Sequence, residues 1–279
     1  MPTLPAPPAT VRTPDGLDLV VRHWPAPGTP RGRLLIVHGL GEHIGRYAHV
    51  AAHLGGRGWD VVGYDLRGHG RSPGRRGTVP TERAHLDDLA AVHDAVRPGD
   101  GVPFVLLGHS MGGLVAARFV AEAVRPVPAL VLSSPALDAA LTPLQRLQLA
   151  IGAAVLPDLP MGNQLAVDFL SHDPVVVQRY RDDPLVHDRI SARLARAILD
   201  GGRIVRARAA HWSVPTLLLW AGDDHLVSPA GSAAFAAAAP ATVLTAHCFA
   251  GLYHEILNER DAGPVYAALD AWLDPRRAP

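Results

Sequence analysis

The chain has 279 residues, 48 % hydrophobic, with 26 acidic and 26 basic side chains and no net charge. That length suits one α/β domain with room for an insertion, and the balanced charge gives no support to a nucleic-acid or other polyanion partner. Every basic residue is arginine and Cys248 is the lone cysteine, which excludes Ser–Lys dyads, Schiff-base lysines, internal disulfides and cysteine-rich zinc sites.

Residues 1–14 are proline-rich and read as a loose segment. They carry neither the basic nor the apolar region of a secretory signal. No apolar run reaches the roughly 18 residues of a membrane span, so the expected setting is cytoplasmic. After a turn at Pro14-Asp15-Gly16, residues 17–24 alternate as a strand. Residues 33–37 form a short β-branched run that reads as a buried strand, ending at His38-Gly39. Residues 44–57 have helical spacing, with Tyr47, Val50, Ala51 and Leu54 on one face.

Residues 60–64 are the next strand and run into the loop 65–72. Thr81-Glu82 opens a helix carrying Leu86, Leu89, Ala90 and Val96. Residues 102–107 are a strand, 113–120 a helix and 129–132 another strand. This alternation predicts an α/β fold with a mostly parallel central sheet flanked by helices.

From 137 to 211 the rhythm breaks, and this stretch reads as an inserted helical cap. Its helices are expected at 142–156, 173–180 and 189–199. In the first, Leu144, Leu147, Ile151 and Val155 form a stripe, whose commonest fate is to pack on the body. The sheet resumes at 214–220 and 242–247, and a helix over 262–273 closes the chain. The core is thus 15–136 plus 212–279, with the cap between.

Gly108-His109-Ser110-Met111-Gly112 lies between a strand and a helix. G-x-S-x-G in that context is a nucleophile elbow, a sharp turn that presents Ser110 above the sheet. A serine hydroxyl needs a base, and the base a carboxylate, in the chain order Ser, acid, His. Asp224 in Gly222-Asp223-Asp224-His225 is the preferred acid and Asp223 the fallback. His254, after the last strand, is the preferred base, while His247 within that strand is read as structural. The oxyanion of an acyl-transfer intermediate needs two backbone N–H donors. Met111 and Leu40, the latter in His38-Gly39-Leu40-Gly41, are the candidates.

Other residues have blander readings. Asp65, Arg67, His69 and Ser72 are expected to hold a loop by local hydrogen bonds, and Asp87-Asp88 to lie on an exposed or partly buried helix face. Cys248 reads as a small buried hydrophobe. With no H-E-x-x-H and no G-x-G-x-x-G after the first strand, no metal or cofactor is expected.

Together these residues resemble the monoacylglycerol lipase family of α/β-hydrolases, which includes lysophospholipase-like members. The resemblance rests on His38-Gly39-Leu40-Gly41-Glu42-His43 with Gly45-Arg46-Tyr47, on residues 63–72, on the elbow, and on Tyr253-His254-Glu255. Leu170-Ser171 and Tyr180 with Asp183-Pro184-Leu185 extend it into the cap. It implies an α/β-hydrolase fold that hydrolyses monoacylglycerols to fatty acid and glycerol. Ser110, Asp224 and His254 would be the triad, and Leu40 and Met111 the oxyanion hole. Glu42 and Arg46 would shape the polar end that accepts glycerol, with Tyr180 of the cap near it, and His109 would be a further substrate-binding residue. The blander reading of Glu42 and Arg46 is a surface ion pair. Some members carry a second histidine three residues after the catalytic one, where this chain has Leu257.

The expected partner is a lipid ester, with transient membrane-surface contact through the cap. One alternative keeps the chemistry and changes the substrate to a lysophospholipid or a simple carboxylic ester. Another is an aminopeptidase or amidase, which would want cap carboxylates for a substrate amine; Asp158, Asp168 and Asp173 are available. A non-catalytic binding protein would not need an intact elbow, acid and base.

Overall fold

Short runs of branched residues build the centre of the molecule. The computed structural model describes residues 4–99, 101–139 and 143–274. Its strands begin with β1 (Thr10–Arg12), β2 (Asp18–Trp24), β3 (Gly32–Val37), β4 (Trp59–Tyr64), β5 (Phe104–His109) and β6 (Leu130–Ser133). β7 (Pro160–Gly162) and β8 (Arg189–Ser191) pair only with each other, and β9 (Thr216–Ala221) and β10 (Leu244–Phe249) complete the set. The main sheet has eight strands in the order β1-β2-β4-β3-β5-β6-β9-β10. The β1–β2 and β2–β4 pairings are antiparallel and the others parallel.

β3, β4, β5, β6 and β9 are buried along their whole length. Helices cover both faces, which is why these strands read as continuous apolar runs. In β3, Leu35 and Val37 pack toward α2 (Ala84–Val96) and α3 (Ser110–Ala121). Leu34 and Ile36 pack toward α1 (Ala48–Gly55) and the carboxy-terminal helix. That two-residue alternation divides the core into two layers.

Between β6 and β9 lie α4 (Pro143–Val155), α5 (Pro174–Asp182) and α6 (Ala192–Ala207), with the small antiparallel β7–β8 pair. α7 (Pro229–Ala238) precedes β10, and α8 (Gly263–Leu273) is the closing helix. No described helix is long and apolar enough to cross a membrane.

Several elements differ from the sequence reading. Within the segment expected to be loose, Thr10–Arg12 is a strand because it pairs with β2 and buries Val11; residues 1–3 lie outside the described part. The helix expected over 44–57 begins as a 3-10 turn, Ile44–Tyr47, where the His43 side chain accepts from the Gly45 N–H. The stretch 189–199 splits: Arg189–Ser191 pairs with β7, and Ser191 then caps α6 by accepting from the Leu194 N–H. The alanine-rich α7 has little periodicity to read, although Pro229 marks its first turn.

The stripe on α4 does not pack on the body. Leu144 is 64 % exposed and Val155 68 %, with Leu147 and Ile151 similarly open. The expected start of that helix, Thr142, lies outside the described residues. Asp88 is fully buried rather than on an exposed face, because Arg67 forks onto it at 2.5 Å through Nε and Nη2. Arg67 also reaches Asp15 at 2.8 Å, so it joins segments far apart in sequence. Within the 65–72 loop the Asp65 carboxylate accepts from the Arg71 N–H, and Ser72 donates to the Asp65 carbonyl. Cys248 and His247 are exposed, since β10 ends the sheet and pairs on one side only.

Candidate active site

β5 ends at His109 and α3 begins at Ser110, so the chain reverses within one residue. Ser110 has φ +54°, a left-handed conformation that side chains other than glycine rarely adopt. The flanking glycines make the turn possible. A Cβ at Gly112 would run into the carbonyl oxygens of Val37 and His38, and one at Gly108 into the Gly112 carbonyl. A Cβ at Gly113 would lie 2.9 Å from the Pro135 Cβ. The G-x-S-x-G spacing is therefore a steric requirement of crossing β3 and β6 closely.

Asp224 sits in the turn after β9. Its Oδ1 accepts from the Leu226 and Val227 N–H groups at 2.9 and 3.0 Å. Its Oδ2 lies 2.7 Å from His254 Nδ1, and both side chains are almost wholly buried. A carboxylate can only accept, so Nδ1 carries the hydrogen and Nε2 is left as the basic nitrogen. Burial favours neutral His254, but the charge and hydrogen bond of Asp224, with Glu255 and Glu42, outweigh it; the net shift is upward. Burial raises the Asp224 pKa less than His254 and the backbone donors lower it, so it lies below the ordinary value. Asp223, the fallback acid, is exposed and pairs with His225 instead.

Ser110, Asp224 and His254 line one cavity of about 710 Å³. Leu40 and Met111 line it too, placing the turn after β3 beside the first turn of α3. The β3 turn is anchored by His38, which the sequence reading passed over. Its Nδ1 donates to the Gly39 carbonyl at 2.8 Å, and its Nε2 accepts from the Leu66 N–H at 3.0 Å. Burial lowers its pKa, consistent with that neutral tautomer.

The Glu42–Arg46 pair forms, but inside the protein: its side chains are 4 % and 11 % exposed. Glu42 Oε1 accepts from the Gly39 N–H at 2.6 Å and from the Tyr47 hydroxyl at 2.8 Å. Its Oε2 accepts from Arg46 at 2.8 Å. Burial would raise the Glu42 pKa, but the Arg46 guanidinium, His109, His38 and the Gly39 N–H hold it well below the usual carboxylate range. Arg46 also forks onto both oxygens of Glu255 at 2.5 and 2.7 Å. The Tyr180 ring covers the guanidinium at 4.9 Å. Glu255 was not a candidate, although its place beside His254 was a usable signal. Sequence position alone cannot show that Arg46 reaches it across 209 residues.

His109 closes one wall. Its Nδ1 lies 3.1 Å from the Ser133 hydroxyl and its ring 4.9 Å from the His254 ring. Burial, then the His254 charge, pushes its pKa down to about 4. Leu257 packs into the core with α8, and does not appear in the lining of the cavity that holds Ser110.

The cap holds the His254 loop. The Glu255 N–H donates to the Leu170 carbonyl at 2.8 Å. Glu259, also missed from sequence, accepts from the Tyr253 N–H at 2.8 Å and from the His172 N–H at 2.9 Å. The cap contributes Leu149, Leu165, Ile190, Ile198 and Leu199 to the cavity, which gives it an aliphatic part beside its polar residues. Among the described residues no cluster of three or more His, Cys, Asp or Glu could hold a metal ion.

The family described as Serine aminopeptidase, S33, matches residues 28–261. A monoacylglycerol lipase of Mycolicibacterium smegmatis is 34 % identical over 269 residues, covering 92 % of this chain and 93 % of that protein. A phospholipase of Bacillus subtilis is 31 % identical, covering 88 % and 96 %. The crystal structure of Paleococcus ferrophilus monoacylglycerol lipase superposes with a TM-score of 0.83 at 32 % identity, covering 92 % of this chain and 99 % of that one.

Proposed function

Because the chain belongs to the monoacylglycerol lipase family of α/β-hydrolases, we propose that it cleaves monoacylglycerols to fatty acid and glycerol through an acyl-enzyme on Ser110. The observation that carries this reading is the buried Asp224–His254 pair sharing one acyl-sized cavity with the strained Ser110. His254 takes the Ser110 proton as Oγ attacks the ester carbonyl. The N–H groups of Leu40 and Met111 stabilise the oxyanion. Protonated His254 then gives the proton to the departing glycerol, and water attacks the acyl-enzyme by the same route. The aliphatic part of the cavity takes the acyl chain, and the end walled by Glu42, Tyr180 and Glu255 faces the glycerol.

The amine reading has less support. Asp158 pairs with Arg193 and Asp168 with Arg181 at the surface, and Asp173 caps α5. None of the three appears in the cavity lining. The exposed stripe of α4 favours brief contact of the cap with a lipid surface, where the substrate resides.

Labelling with a fluorophosphonate followed by peptide mapping tests the nucleophile, and a chain-length panel tests the substrate. The label is expected on the Ser110 peptide, and long-chain monoacylglycerols are expected to outrun acetate esters. A label elsewhere would sink the mechanism; a strong preference for acetates would sink the lipase assignment.

A further inference from the structure

Apart from its histidines, the charged side chains lining the cavity are of one sign. Among the described residues Glu42, Asp224 and Glu255 line it and no arginine does, in a chain with 26 arginines. Arg46 sits behind this wall, its fork held by Glu255 and its face covered by Tyr180. Two carboxylates against one guanidinium leave a surplus negative charge at the end that faces the leaving group. His109 does not offset it, because its pKa lies near 4. His254 becomes positive during acylation but is balanced by Asp224, so the surplus at Glu42–Arg46–Glu255 persists through the reaction.

Glu255 is the residue that tips the balance. Glu42 already accepts from Gly39, Tyr47 and Arg46, and its charge is answered by that guanidinium. Glu255 adds the second carboxylate. It also occupies the planar fork with which an arginine binds phosphate in two-point fashion. Without it, Arg46 would be a latent anion site.

We propose that Glu255 is a specificity-determining residue that makes the leaving-group end reject anions, admitting esters of neutral polyols and refusing esters of phosphate-bearing alcohols. This rests on the proposed esterase reading and narrows it, since the chain also has a phospholipase relative. Like charges about 6–12 Å apart at an effective dielectric near 20 discriminate on the order of tenfold to a hundredfold.

The test compares kcat/KM for matched decanoyl esters of glycerol, glycerol 3-phosphate and choline. The glycerol ester is expected to exceed the phosphate ester by at least about tenfold, with the choline ester penalised less than the phosphate ester. In Glu255→Gln, the phosphate-to-glycerol ratio is expected to rise about tenfold, with the fluorophosphonate label confirming a folded, reactive Ser110. Equal turnover of the glycerol and phosphate esters would overturn this inference and leave the esterase reading standing. So would rejection of choline as strong as that of phosphate, which would mean bulk rather than sign, or an unmoved ratio in a labelled variant. Absence of turnover for all three esters would overturn the esterase reading and this inference with it. If Glu255→Gln does not fold, the wild-type ratios decide alone.

Discussion

The cavity's inner wall and the cap's outer face use the same residue types to opposite ends. In the inner wall and just behind it, Asp, Glu and Arg are buried, and each is held by two or more partners: Glu42 by three donors, Arg46 behind the wall by two carboxylates, Asp224 by His254 and two N–H groups. On the outer face the ion pairs stand in solvent, as in Arg181–Asp168, and leucines such as Leu144 are left uncovered. Burial without partners costs several kcal/mol per charge, so buried charges persist only where partners are complete. Solvated pairs need no such completeness and contribute little. One substitution, Asp to Asn, can be placed in both environments and read against itself.

The largest effect is expected at Asp224. Asp224→Asn keeps the shape but can donate toward His254, which favours the wrong tautomer. Turnover is expected to fall by about 10³–10⁴-fold with little change in melting temperature. A variant within tenfold of wild type in steady-state kinetics would remove Asp224 from the proposed triad.

Asp88→Asn asks what a buried pair contributes away from the chemistry. Arg67 would keep its charge, 4 % exposed, with only the half-exposed Asp15 to balance it. Stability is expected to drop by about 3 kcal/mol in urea titration, while turnover per folded molecule is kept. A loss under about 1 kcal/mol would mean that water or rearrangement solvates the guanidinium.

These two aspartates also show where sequence was legible. Asp224, the proposed triad acid, could be singled out because strand, turn and chain order confine the candidates to one turn, and the fold brings it against His254. Asp88 was misread because helix periodicity marks apolar faces, and a charge buried against a loop 21 residues away leaves no periodic trace. The parallel sheet was readable from its runs of branched residues, and the elbow from its glycines. Glu255 and Glu259 were not, since their partners Arg46 and His172 are distant in sequence and meet them only in the fold. Cys248 was misplaced because hydropathy does not tell an edge strand from a central one.

Protonation probes the inner wall without mutation. The proposed mechanism needs neutral His254, whose pKa Asp224 and its neighbouring carboxylates raise above the ordinary 6.5 despite burial. The rate should therefore be full above that raised pKa and fall about tenfold per unit below it. The acid-limb midpoint of kcat/KM is expected above pH 6.5 in wild type. A midpoint well below that, with the protein folded, would show that burial rather than the carboxylates governs this histidine.

The smallest effect is expected from the same substitution on the outer face. Asp168 is 73 % exposed and meets Arg181, itself 46 % exposed, at 2.6 Å. The pair is short, yet water can replace either partner as it leaves. Asp168→Asn is expected to shift stability by less than about 0.5 kcal/mol and to leave ester turnover unchanged. A loss approaching that of Asp88→Asn would mean that the 3-10 turn Val167–Phe169 depends on this pair to hold Phe169 against Tyr253. The cap would then be as tightly specified as the wall beneath it, and the contrast between the two faces would fail. Melting curves of Asp88→Asn and Asp168→Asn, taken side by side at low and high salt, separate the cases, because only the exposed pair should lose its contribution to screening.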